Sequence, residues 1–430
     1  MKPTPNYKRT KYSCYFTYLA NSSVFMLPPI LFLPFHNIYG ISYTLLGTLV
    51  LINFLTQLGV DLIFSAFSHR FNMKMVIRTM PVLCSFGLLL YALIPMLWPD
   101  YAYLGFAIGT LIFSVAAGLS EVFLTPTVAA LPSKNRERDV STLHSLYAYG
   151  SLMVIVVSTL FLHFAGEENW PYLTMFWALF PLVSWYLFST SYIPDFNAAS
   201  SKPENSIKNH KFGFALIVLC IFLGGAAETT MSNWVSSYVE NVLLLDKALG
   251  DILGMAVFAV MLGIARTLYG KYGRNITRVL LYGMIGAVAC YIIASLSQNA
   301  VLSLAACGLT GFATSLLWPG SLVLMEEKFP GAGVGAYALM AAGGDLGASF
   351  APQLMGVIVD EVAKTEWAAS FADTLSMNAE QIGMRVGILI STIFPILGAV
   401  VVILIKRYFK NVKKCPIIEN SGEGNGKNQI

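Results

Sequence analysis

With 430 residues, 56% of them hydrophobic and only 12% charged, the chain lies far from a soluble composition, in which charged residues make up about a quarter. Its apolar runs are long and unbroken, without the polar/apolar alternation of a barrel strand, so helices are the backbone that can satisfy itself across hydrocarbon. The net charge of +4 calls for no nucleic-acid partner, because it reflects a bias in the loops.

A span through a hydrocarbon core about 30 Å thick takes roughly 20 mostly apolar residues as a helix. Twelve runs qualify, at about 13–36, 42–67, 75–97, 102–131, 141–164, 172–193, 212–244, 252–269, 278–296, 300–325, 333–359 and 384–405. They predict an all-α polytopic membrane protein. The charged start, MKPTPNYKRTK, leads into a full-length span with no small-residue cleavage site, which speaks against a cleavable signal peptide. Twelve spans put both termini on one side, and 23 of the 27 Lys and Arg residues fall on that side. The positive-inside bias then predicts cytoplasmic termini in the cell membrane.

The six cysteines (Cys14, Cys84, Cys220, Cys290, Cys307, Cys415) are scattered, without a C-x-x-C pair. They read as packing residues, with no metal site and no cofactor. Trp98 and Trp170, at span ends, read as interfacial belt residues.

The longest polar connection between spans, PDFNAASSKPENSIKNHK, follows span 6. It divides the chain into a six-helix bundle at 1–194, a cytoplasmic linker at 195–212, and a second bundle with a tail at 213–430. The halves share blocks in the same order: GLSEVFLTP (118–126) matches GFATSLLWP (311–319), and HRFNMK (69–74) matches GKYGRN (270–275). Gly47 falls on Gly254 and Asn21 on Glu228. Such a repeat is the arrangement of transporters whose substrate site lies between two halves near the midplane.

Twelve spans, a central linker and the turn Gly270-Lys271-Tyr272-Gly273-Arg274 after span 8 resemble the major facilitator superfamily over nearly the whole chain. In the first copy of that turn His69 stands where the family has Asp, and Asn72 where it has Gly. The resemblance implies two pseudo-symmetric six-helix bundles, and it implies that Arg70, Lys271 and Arg274 belong to loops that latch the cytoplasmic helix ends. Span 4, with Glu121 five residues before Pro126, and span 7, GGAAETTMSNWVSSY, are similar to the fucose/galactose/glucose proton symporter branch. Phe25 occupies the place of that branch's Asp in span 1.

Four of the 23 acidic residues fall within spans: Asp61, Glu121, Glu228 and Asp345; the others, Asp251, Asp360 and Glu380 among them, fall in loops or at their edges. An ionisable group at the bilayer centre costs at least about 2.5 kcal/mol, so it faces a cavity or a partner. Glu121 and Glu228, the deepest, are candidates for proton coupling, since a carboxyl group can be neutral in one state and charged in another. For Glu121 a protonated, hydrogen-bonded structural role stays open beside the functional one. Asp345, in the small-residue run GAYALMAAGGDLGASFAP, is expected to pair with Arg266, the one basic residue well inside a span. Asp61, near the inner end of span 2, is assigned to the cytoplasmic gate.

A sugar site needs aromatic faces together with groups that both donate and accept hydrogen bonds. Asn21, Gln57, Tyr147, Tyr149, Asn233, Trp234 and Trp318 supply these within spans, with His144 and Tyr337 as weaker candidates. No G-x-x-x-x-G-K-[ST], H-E-x-x-H or G-x-S-x-G motif occurs, which argues against a nucleotide-driven pump or an enzyme. The expectation is a monomeric secondary transporter moving a small polar solute, a sugar by resemblance, with protons through a lipid bilayer. The alternative is a proton-driven exporter of drugs or metabolites with the same fold; its mark, a basic residue deep in span 4, is missing from this span.

Overall fold

The structure is a computed structural model that describes residues 7–67, 70–133, 136–193, 210–273, 275–329 and 334–412. Among these residues there is no strand. The first half comprises α1 (Tyr7–Tyr39), α2 (Tyr43–Phe67), α3 (Met73–Leu97), α4 (Ala102–Ala130), α5 (Arg136–Ala165) and α6 (Trp170–Ser189). The second begins with α7 (Lys211–Asn241) and α8, which runs as Lys247–Gly250, a π-helical turn Asp251–Ala256 and Val257–Tyr272. It continues with α9 (Ile276–Leu296), α10 (Ala300–Thr314 and Leu317–Lys328), α11 (Val334–Ala363) and α12 (Ala379–Ser391 and Ile393–Val412), with a short helix Glu366–Leu375 before α12.

Eleven of these twelve are long and apolar enough to cross a membrane. The other, α11, has 30 residues, so its length suffices; Asp345, Pro352, Gln353 and several glycines dilute its apolar content. It is wedged between α2 and α7, where small residues let backbones approach. A Cβ on Gly347 would strike the Phe222 carbonyl, and one on Gly356 the Tyr43 carbonyl.

The two halves repeat the same packing six helices apart. In the first, α3 packs on α4 and α6, α1 on α5 and α6, and α2 on α4; in the second, α9 packs on α10 and α12, α7 on α11 and α12, and α8 on α10. Contacts between halves obey the same symmetry, with α2 against α11, α5 against α8, and α1 against α7. The two repeat loops also correspond, because each ends in an asparagine cap: Asn72 accepts from the Met75 amide at 3.2 Å, and Asn275 from the Arg278 amide at 3.1 Å. Asn72 therefore has the role of Asn275 rather than that of Gly273.

One expectation needs correction. Trp170 is not a belt residue: it is 1% exposed and packs edge-on against Phe35 at 4.8 Å, inside the first half. Trp98, 58% exposed, stays at the surface. The run 300–325 is one span but not one unbroken helix, since it is interrupted at Ser315 and Leu316. Pro319 lacks an N–H, so the Ser315 carbonyl four residues earlier loses its helical donor.

Candidate substrate and proton pathway

The start of α1 and the end of α12 share one face of the bundle, called here the terminal face, and the halves are tied together at the opposite, far face. There His36 Nε2 lies 3.4 Å from Glu380 Oε2, and the Tyr43 hydroxyl donates to the same oxygen at 3.2 Å while accepting from Asn241 Nδ2 at 3.0 Å. Asp360 of α11 accepts from the Tyr43 amide at 3.1 Å and the Thr44 amide at 2.6 Å, capping α2 from the other half. Thr159 of α5 donates to Asp251 of α8 at 3.1 Å. Trp234 donates to the Pro352 carbonyl at 3.1 Å and lies 5.4 Å from the Phe32 ring, sealing α1 to α7.

Behind this closure Asn21, Gln57 and Asp345 are buried and Asp61 and Glu228 half-buried. Glu121 is exposed, and the face it occupies on α4 is an inner one. Three residues earlier Gly118 packs on Gln57 and Val60 of α2. Four residues later Thr125 hydrogen-bonds Tyr18 of α1. Positions three and four apart share a helix face, so Glu121 lies on the side of α4 turned toward α1 and α2.

Near Glu121 the charges form two groups. Glu228 of α7 pairs with Arg266 of α8 at 3.4 Å, and Arg266 Nε donates to the Ser315 carbonyl at 2.9 Å, replacing the donor that Pro319 withholds. Arg266 therefore pairs with Glu228, not with Asp345 as the sequence suggested; the rotation of α8 turns it toward α7 and the break in α10. The other Glu228 oxygen, Oε2, is buried without a partner. The second group comprises Glu121, Asp61 of α2 and Asp345 of α11, which feel one another's charge. Tyr147 of α5 stands between the groups, within electrostatic reach of Glu121, Glu228 and Arg266.

The remaining candidates separate by position. Tyr147 packs at 5.7 Å from the Phe25 ring and 6.5 Å from the Tyr18 ring. Phe25, standing where the symporter branch has an acid, is thus part of an aromatic wall. Asn233, 9% exposed, donates to the Thr229 carbonyl at 2.8 Å and lines a small void with Phe25, Asn53 and Thr110. Asn21 is buried on α1. Trp318 lies against the backbones of Gly225 and Gly344. Gln57, 2% exposed, donates to Asn53 Oδ1 at 3.0 Å, and Ser114 of α4 donates to the same oxygen at 2.7 Å. That places Gln57 in the α2–α4 seam. Tyr149, 67% exposed, is rotated roughly 200° around α5 from Tyr147. Trp234 belongs to the far-face closure.

Arg70 lies over the Phe67 ring at 5.4 Å and Lys271 over the Tyr272 ring at 5.1 Å, both at the exposed ends of their helices. Arg274, His69 and most of the linker lie outside the described residues, as does the side chain of His144. Asp251, counted from sequence with the outer loops, is fully buried in the π-helical turn of α8, bonded by Ser236 and Thr159 and 3.8 Å from Lys247. Sequence reasoning also passed over Asn53, whose four-residue spacing from Gln57 was a legible signal. Tyr18, Thr125 and Ser114 carried none.

The Major Facilitator Superfamily model matches residues 13–352, and the chain belongs to that family. No curated relative matches it in sequence. Solved structures share its fold at low identity. A bacterial homolog of the human lysosomal transporter Spinster, inward-facing and occupied, is 13% identical with a TM-score of 0.72, covering 95% of this chain and 98% of its own. The xylose transporter XylE from E. coli, partially occluded and inward open, is 14% identical with a TM-score of 0.68 over 92% of this chain and 96% of that one. A variant of the E. coli fucose:proton symporter FucP is 14% identical with a TM-score of 0.55, over 93% and 97%. The protein is a multi-pass membrane transporter of this superfamily.

Proposed function

We propose that the protein is a monomeric secondary active importer of a small polar solute, a sugar, driven by protons. It works in the cell membrane with both termini in the cytoplasm. The observation that carries this reading is Glu121: an exposed carboxyl group within a span, on the side of α4 turned toward α1 and α2. A group so placed takes up a proton when the cavity faces one compartment and releases it when the cavity faces the other.

Glu121 is assigned the coupled proton, and Glu228, with its unpartnered Oε2, a contact to solute or proton. Tyr147, Asn21, Asn233 and Trp318 supply the aromatic faces and paired donors and acceptors that a ring bearing hydroxyl groups requires. Gln57 is assigned instead to the α2–α4 seam, Tyr149 to the exposed side of α5 and Trp234 to the far-face closure.

The test has two stages. Thermal shift of the purified protein against monosaccharides and small metabolites identifies the solute, since a ligand at 100 times its dissociation constant adds about 2.7 kcal/mol to stability. Proteoliposomes with an acidic exterior then take up that solute against its gradient, and a protonophore abolishes the accumulation. Accumulation that ignores the proton gradient overturns the coupling; stabilisation by non-sugar metabolites alone overturns the substrate class.

A further inference from the structure

Thr110 of α4 breaks the habit of buried threonines in these spans. Thr127, Thr230, Thr310 and Thr314 each donate to the carbonyl four residues earlier, at 2.6–2.9 Å, which is how a threonine satisfies itself inside a helix. Thr110 is 2% exposed, yet its hydroxyl makes no such bond and meets no other partner among the described residues. It lines the small void between α1, α2, α4 and α7, with Asn53, Asn233 and the apolar side chains of Phe25, Leu49 and Phe113.

Both asparagines keep one group in reserve there. Asn53 Oδ1 accepts from Gln57 and Ser114, so its Nδ2 is the spare donor. Asn233 Nδ2 donates to the Thr229 carbonyl, so its Oδ1 is the spare acceptor. The void is thus bordered by a donor, an acceptor and a hydroxyl able to be either, and no ionisable group is among the described residues that line it. The space between them, about 10 Å³ for the centre of a water-sized sphere, fits one oxygen-sized group.

Its place in the fold gives that group a role. Thr110 lies about 12 Å along α4 from Ala102, and Asn233 about 12 Å along α7 from Asn241, both counted from the far-face helix ends. The midplane of a hydrocarbon core about 30 Å thick is about 15 Å in, the depth at which such transporters hold their solute. Trp234, the residue after Asn233, forms the far-face seal with Phe32 and the Pro352 carbonyl. The lining is also split, with Asn53 and Thr110 in the first half and Asn233 in the second, so opening of the far face parts them.

We propose that Asn53, Thr110 and Asn233 form a split subsite for a single hydroxyl group, assembled as the far face closes. The hydroxyl accepts from Asn53 and Thr110 and donates to Asn233, satisfying three buried groups that are costly to leave unpaired. It comes from the solute or from one water molecule. The solute case rests on the sugar reading above and suits import: the loaded carrier closes its outer face, and the empty one, with three unpaired groups, is biased to open it again.

Spin labels at Glu168 and Asp373, on the far face of either half, report closure in nanodiscs by pulsed dipolar spectroscopy in a background without the six native cysteines. Thr110→Val keeps the shape and removes the hydroxyl. Distances are taken without sugar and with D-glucose, D-galactose, L-fucose or D-xylose. An occupied subsite makes Thr110→Val lower the closed population severalfold, Thr110→Ser restore it, and Asn233→Leu lower it from the other half. The loss appears without sugar if water is the occupant, and only with a sugar that closes the parent if a solute hydroxyl is. A folded Thr110→Val protein that closes as fully as the parent in every condition, or more fully, as deletion of an unsatisfied hydroxyl would make it, overturns the subsite. If a sugar still closes both proteins equally, the functional reading survives that failure. A loss without sugar, when none of the four closes the parent, keeps the subsite for water and counts against the sugar reading.

Discussion

Arg266 and Ser315 are bound to one another because of a third residue: the Nε–H of Arg266 meets the Ser315 carbonyl at 2.9 Å where Pro319 has removed the helical donor. The same guanidinium reaches Glu228 at 3.4 Å, so one side chain fills a backbone vacancy in α10 and holds a carboxylate of α7. Arg266→Gln should therefore lower thermal stability by about 1–3 kcal/mol, the cost of leaving buried acceptors unsatisfied. In a Pro319→Ala background α10 recovers its own donor and Arg266→Gln should cost less. A double-mutant cycle by thermal denaturation measures the coupling, expected at about 0.5–3 kcal/mol; strict additivity would mean that Pro319 is not why the arginine is there.

That relationship marks the limit of what the sequence discloses. The spans were legible because the bilayer demands long apolar runs, and the two halves because loop and Pro motifs recur in order. Partner choice was not: Arg266 and Asp345 stood out as isolated charges in one half, but whether a side chain turns toward α7 or α11 depends on helix rotation, which composition does not encode. Asp251 was misplaced for a related reason. It follows Asp246 and Lys247, which read as loop, yet Lys247, Ser236 and Thr159 surround it and let it stay buried. The face occupied by Glu121 could be settled only once Gly118 and Thr125 were seen on their neighbours.

Asp360 caps α2 from across the interface through the amides of Tyr43 and Thr44. Asp360→Ala removes a cap worth about 1–2 kcal/mol, and that loss falls on the far-face-closed state. The ratio of far-face-closed to far-face-open molecules should drop roughly five- to thirty-fold. A single cysteine at Asn233 would then be labelled faster by a membrane-impermeant reagent from the far side. An unchanged labelling rate with intact folding would show that the cap does not hold the gate.

Orientation follows from the basic-residue bias. A cysteine at Glu168 or Asp373, on the far face, should be labelled in intact cells by an impermeant maleimide, and one at Ser133 only after permeabilisation. Labelling of Ser133 from outside would invert the topology and with it the direction assigned to transport.

The loops after α2 and α8 differ in how much of the latch signature they retain, so Lys271 should matter more than Arg70. Replacing Lys271 by Ala should slow transport while leaving solute affinity within severalfold, because Lys271 lies at the exposed end of α8, away from the span centres. Loss of transport on Arg70→Ala, with Lys271→Ala silent, would reverse the assignment.

Glu121→Gln separates the two roles left open for this residue by the sequence. The substitution keeps nearly the same shape and removes titration. The side chain is exposed, and no hydrogen bond or ion pair to its carboxyl group forms among the described residues. Glutamine therefore strands no partner, and the penalty of about 1–3 kcal/mol that follows loss of a buried hydrogen-bonding group should not appear. The variant should melt close to the parent and exchange solute across the membrane. It should fail to concentrate solute in response to an acidic exterior, because no group at that position can carry the proton between compartments. Full proton-driven accumulation by a well-folded Glu121→Gln protein would move the coupling to Glu228, whose Oε2 is buried and unpartnered. A fall in melting temperature with coupling intact would make Glu121 a structural acid.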